Sequence, residues 1–131
     1  MVNSGKYGVS QYGSSEYGDS KYVDGGTQPI FDPNSVVPQD GQQNVSKNTL
    51  IKIDIYDPLG VIVPSSIQGW ISGTQVYDGI TGDFIPEYNG PLSAVTPKII
   101  DGYNGYEITI DKVGFYRSGD SVLVSIYAVG N

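Results

Sequence analysis

Apolar residues in this chain recur at every second position, in short runs cut off by glycine and proline. In Leu50-Ile51-Lys52-Ile53-Asp54-Ile55-Tyr56 the three isoleucines fall on one side, and Lys52, Asp54 and Tyr56 on the other. Asp57-Pro58-Leu59-Gly60 ends that run. Ile67-Gln68-Gly69-Trp70-Ile71 is a shorter one, with Ile67 and Ile71 on one face. The turn signal Ser72-Gly73 leads from it into Thr74-Gln75-Val76-Tyr77. Gly105-Tyr106-Glu107-Ile108-Thr109-Ile110 directs Tyr106, Ile108 and Ile110 inward. Residues 121–129 alternate Val122, Val124, Ile126 and Ala128 against Leu123, Ser125, Tyr127 and Val129, so both faces of that segment are suited to being covered. Residues 78–97 form a long irregular connection, punctuated by Gly79, Gly82, Pro86, Gly90, Pro91 and Pro97. No segment offers a helix beyond a turn. With 18 glycines, 11 tyrosines and 8 prolines in 131 residues, the pattern predicts an all-β fold, a β-sandwich of short strands.

The first 26 residues obey different physics. They are Gly, Ser, Tyr and charged residues with almost no aliphatic side chain, so they cannot build a core. Tyr7, Tyr12, Tyr17 and Tyr22 recur every fifth residue, the first three followed by Gly8, Gly13 and Gly18. An odd spacing sends successive rings to opposite faces of a strand, and the glycines oppose helix. Two readings stand: a flexible Gly/Ser tail, or an interaction arm whose tyrosines supply apolar area and a hydroxyl at low entropic cost. The second is preferred, with partner contacts assigned to Tyr7, Tyr12, Tyr17, Tyr22, Gly8, Gly13 and Gly18. The expected organisation is a repeat arm over 1–26 and one β-sandwich domain over 27–131.

Seven basic residues against fourteen acidic ones give a formal charge of -7. That opposes binding to phosphate backbones and to anionic membrane surfaces. The chain has no His and no Cys, which removes disulfides, thiolate and Ser-His-Asp catalysis and the usual zinc ligands. Asp54, Asp57, Asp78, Asp83, Glu87, Asp101, Glu107, Asp111 and Asp120 remain as carboxylates, mostly in Gly/Pro turns that favour Asp on conformational grounds. Ser118 has no base beside it. The expectation is therefore a non-enzyme without catalytic residues, metal or cofactor. Calcium is the one cation its loops suit, through Asp78, Asp83 and Glu87 or through Asp101 and Asn104. Asn44-Val45-Ser46 fits a glycosylation sequon. Trp70, on the outer face of its strand, is a candidate ligand contact; packing beneath the long connection is its structural alternative. No secretory leader or membrane span is visible, so a soluble protein made in a cytoplasm is expected.

Several motifs, in order, resemble bacterial and bacteriophage immunoglobulin-like (Big-type) domains. Pro29-Ile30-Phe31-Asp32-Pro33, then Val37-Pro38-Gln39-Asp40-Gly41 and Asn44-Val45-Ser46, are similar to the opening of such domains before their first core strand. Asp57-Pro58-Leu59-Gly60-Val61 is similar to their "D-x-x-G-V" turn. Tyr116-Arg117-Ser118-Gly119-Asp120-Ser121-Val122 is similar to the lead into their penultimate strand, and Ala128-Val129-Gly130-Asn131 to the "G-N" ending that follows it. In that family a final strand comes next, whereas here the sequence stops. The resemblance therefore implies that the strand within 121–129 has an edge to be filled, either by another segment or by a neighbouring subunit. The Tyr-Gly repeat is a candidate filler in cis or in trans.

The repeat also resembles N-terminal segments of some bacteriophage structural proteins. Together these resemblances imply a virion protein made in the host cytoplasm: a head decoration or a tail or baseplate accessory, in many copies, docked on a capsid or tail protein. The alternatives are a carbohydrate- or receptor-binding module using Trp70 and residues 78–97, with a host-surface glycan as partner, and a bacterial cell-surface adhesion domain.

Overall fold

The computed structural model describes residues 4–8, 16–21, 29–38, 50–116 and 122–130, the first two segments as backbone. The strands are β1 (Ser4–Gly8), β2 (Glu16–Lys21), β3 (Ile30–Val37), β4 (Ile51–Tyr56), β5 (Gln68–Ile71), β6 (Thr74–Asp78), β7 (Asp83–Phe84), β8 (Ala94–Ile100), β9 (Tyr103–Ile110) and β10 (Val124–Tyr127). They form two sheets, ordered β2-β1-β10-β5-β6-β7 and β3-β4-β9-β8. Every strand pair is antiparallel. Single 3-10 turns at Pro64–Ser66 and Pro86–Tyr88 are the helical structure among the described residues.

The core follows from the alternation. Ile51, Ile53 and Ile55 of β4 and Ile108 and Ile110 of β9 pack in one buried cluster with Ile71, Val76, Val124 and Ile126 of the other sheet. Each such side chain contributes about 1.5–3 kcal/mol by leaving water. Tyr106 packs against this cluster while remaining partly exposed. In the last segment Val122, Val124, Ile126 and Ala128 are buried, and Leu123, Ser125, Tyr127 and Val129 are half-buried.

Two tight hairpins set the register. Ser72 and Gly73 have φ of 49° and 85°, and Asp101 and Gly102 have φ of 51° and 83°. Both pairs thus occupy the left-handed region that a two-residue hairpin of matching twist requires. The first sets Ile71 opposite Thr74 and Trp70 opposite Gln75, with a one-residue slip at Gly69. The second pairs Ile100 with Tyr103.

Residues 78–97 are more regular than their composition suggests. They contain β7, a 3-10 turn and the start of β8. Their backbone is fastened to the segment after β9. Gly90 N donates to Asp111 O at 2.9 Å and Val113 N to Glu87 O at 2.9 Å. The Ser93 hydroxyl donates to Tyr88 O and accepts from Asp111 N, both at 2.7 Å. Lys112 lies over the Tyr88 and Tyr116 rings, 5.3 and 5.6 Å from their centroids, and pairs with Glu87 at 2.9 Å.

Both edge strands of the four-stranded sheet carry proline. In β8, the Ile100–Tyr103 pair closing its hairpin is hydrogen-bonded, so alternation makes Pro97 opposite Tyr106 a non-hydrogen-bonded pair. The Pro97 nitrogen therefore faces the free edge, costing β8 no bond to β9 and removing a donor from the edge. In β3, Pro33 falls in the stretch between the paired Asp32 and Val37, where the register shifts. There the Ser35 hydroxyl takes over, donating to Asp32 O at 2.7 Å and accepting from Asp54 N at 2.8 Å.

Candidate interaction surface

The repeat enters the six-stranded sheet. β1 lies along β10 of the same chain, with Gly5 opposite Ile126, Lys6 opposite Ser125 and Tyr7 opposite Val124. On its other side β1 pairs with β2, and Tyr7 stands opposite Tyr17 and Gly8 opposite Glu16. The five-residue period would scatter tyrosines over both faces of one strand. Tyr7 and Tyr17 are ten residues apart, an even number, and the reversal of chain direction between β1 and β2 brings them into one cross-strand pair. A one-residue register shift lies between Gly5 and Tyr7. Gly18 lies within β2. Tyr12, Tyr22 and Gly13 lie outside the described residues, as do the Asn44-Val45-Ser46 sequon, Ser118 and Asp120.

This placement decides which edge strand, among the described residues, is suited to take another strand. Among the described residues four strands are terminal: β2, β7, β3 and β8. β7 has two residues, and β3 and β8 carry Pro33 and Pro97. β2 has six residues without proline, Glu16-Tyr17-Gly18-Asp19-Ser20-Lys21. Its outer row of backbone groups is the uninterrupted one.

Trp70 is half-buried on the outer face of the six-stranded sheet, between Gln75 on β6 and Ser125 on β10. Two residues away along β5, Gln68 stands opposite Tyr127 on one side and Asp78 on the other. The Gln75 amide donates to Gln68 Oε1 at 2.6 Å, and Gln68 Nε2 donates to Asp78 Oδ1 at 3.3 Å. Burial pushes the Tyr127 hydroxyl above its ordinary pKa. Gln68, Gln75 and Tyr127 were not singled out as site residues from the sequence. The signal was present in part: a two-residue turn at Ser72-Gly73 sets Trp70 opposite Gln75 by counting alone.

Several of the carboxylates serve turns and ion pairs. Asp57 Oδ1 accepts from Leu59 N at 3.0 Å, Asp78 Oδ1 from Ile80 N at 2.9 Å, and Asp111 Oδ2 from Leu92 N at 3.0 Å. Asp101 is the first residue of its hairpin turn. Asp54 is buried, and Lys98 Nζ reaches its Oδ2 at 2.7 Å and Glu107 Oε2 at 3.2 Å. The hydrogen bond to Asp54 leads in raising the Lys98 pKa, against a smaller opposing effect of burial, with Glu107 adding to the rise. Among the described residues no three acidic groups gather where they could hold a metal ion, and Glu87, one of the candidate calcium ligands, is paired with Lys112.

Comparison of the chain with protein-family models, with curated proteins and with solved structures gives no match.

Proposed function

We propose that this chain is a bacteriophage virion structural protein, a head decoration or a tail or baseplate accessory. It docks on a major virion protein through its Tyr-Gly repeat and displays an immunoglobulin-like domain. Its work is attachment rather than catalysis. The observation that carries this reading is the position of the repeat: β1 and β2 end the six-stranded sheet, and β2 is its longer edge strand, six residues against two in β7. A strand of the partner adds there by backbone pairing. Glycines at positions 8, 13 and 18 let the two backbones approach, and tyrosines at 7, 12, 17 and 22 supply anchoring rings. The immunoglobulin-like reading is supported by two antiparallel sheets around one core and by the order of turn motifs from Pro29 onward. A symmetric shell or tube repeats one docking site many times, so a single short segment serves for many copies.

Co-sedimentation with purified heads and tails of the encoding phage tests this. The full chain is expected to pellet with one of the two particles. A variant with Tyr7, Tyr12, Tyr17 and Tyr22 all changed to Ser, which leaves the backbone of the repeat unaltered, is expected to stay in the supernatant. Equal binding by both proteins, or binding of the full chain to neither particle, would sink the proposal.

A further inference from the structure

The outer face of the six-stranded sheet carries a second arrangement, which the docking reading does not use. Trp70 and Tyr127 sit on adjacent strands in diagonal positions, since Trp70 is opposite Ser125 and Tyr127 is opposite Gln68. Their Cα atoms are thus about 7–8 Å apart. Beside them runs a ladder of amides and a carboxylate, from Gln75 through Gln68 to Asp78. Gln75 is exposed, and Trp70, Gln68, Asp78, Ser125 and Tyr127 are each half-buried, so all remain partly open to solvent.

We infer that this face is a binding site for a neutral, flat β-1,4-linked oligosaccharide. Sugar rings offer an apolar C–H face and a rim of hydroxyls. The first stacks on aromatic rings, and the second exchanges hydrogen bonds with side-chain amides, hydroxyls and carboxylates, which both donate and accept. The diagonal separation of the two aromatics spans neighbouring rings of such a chain, and a flat ribbon suits an open sheet face where a coiled α-linked chain does not. The ligand is uncharged because the ionisable acid of the ladder, Asp78, already accepts from Gln68 Nε2 and Ile80 N. The Tyr127 hydroxyl, its pKa raised by burial, stays protonated and able to donate throughout the neutral range. The proposal does not rest on virion docking, since the residues it names lie on β5, β6 and β10 and outside the repeat.

Trp70 is the sole tryptophan of the chain, so its fluorescence reports on this face alone. Full-length protein is titrated with cellotetraose, with tetra-N-acetylchitotetraose and with α-linked maltotetraose. A saturable emission shift is expected with at least one β-linked probe and not with maltotetraose. Gln68→Ala is expected to weaken that binding about tenfold or more. Tyr103→Phe, on the opposite sheet, is expected to leave it unchanged and serves as the folding control. Absence of any shift with both β-linked probes would overturn the proposal. So would an equal response to maltotetraose, or binding that survives Gln68→Ala unaltered.

Discussion

Asp54 stands directly opposite Asp32 on one side and Glu107 on the other, and the Asp54 residue is only 4 % exposed. Like charges facing across strands repel, so the Lys98 ammonium, reaching both Asp54 and Glu107, sets the local balance. Changing Lys98 to Met keeps the stem and removes the charge. It should cost about 1–3 kcal/mol in urea unfolding, the penalty for a buried polar group left unmatched. The low end of that range is expected, because the Lys98 side chain is 43 % exposed and water screens the pair. The pH dependence has a definite sign. The folded-state pKa of Lys98 lies above the ordinary 10.5, so the folded protein holds that proton more tightly than the unfolded chain does. Its contribution is complete below the ordinary value and is lost as pH rises through the raised one. The stability gap between wild type and Lys98→Met should therefore stay constant from neutral pH to about pH 10 and close above it. A gap that closes instead on acidifying from pH 8 to pH 6 would show that Lys98 is not its source.

Among the strands, proline marks the edges of the four-stranded sheet. Pro97 occupies the middle of β8 with its nitrogen toward the free edge. Beside that edge lies an apolar groove of about 370 Å³ lined by Val61, Ile62, Pro97, Ile99 and Tyr106, among others. Pro97→Thr should leave the fold and its unfolding midpoint nearly unchanged while restoring an edge donor. The variant is then expected to self-associate, seen by light scattering as a mass rising with concentration, while the parent mass holds steady. A variant no more associated than the parent would mean that Pro97 does not guard the edge. The same proline explains what was hard to read in the sequence. Ile51, Ile53, Ile55, Ile108 and Ile110 declare their strands through alternation, and Ser72-Gly73 declares its hairpin. Residues 94–100 do not, because Pro97 resembles a breaker unless the strand is known to be an edge, and being an edge is a property of the assembled sheet. The fastening of residues 85–93 by Ser93, Asp111 and Lys112 was likewise hidden. Those contacts join residues 18 to 25 apart in sequence and leave no local periodicity. On the outer face of the six-stranded sheet, Trp70 was legible as an outward residue, and its amide neighbours required the register.

At the scale of the whole molecule, the beginning and end of the described chain meet. β1 covers one side of β10, and β5 covers the other. Beyond β10, Val63 N donates to Val129 O at 2.9 Å, and Ile62 forms a bridge with Gly130. β10 is thus paired along both of its edges. Among the described residues β2 is the outermost strand at that end of the sheet. Attachment of the virion protein proposed here depends on this edge strand gaining a neighbour when the particle is present.

Hydrogen exchange of the amides in residues 4–21, measured on the isolated protein and again on particle-bound protein, tests that dependence most directly. β1 is expected to be protected in both states. The outward amides of β2 should exchange fast in isolation and slow at least about tenfold on the particle. Amides of β1 and β2 that exchange at unfolded-chain rates in both states, or β2 amides whose rates ignore the particle, would contradict it.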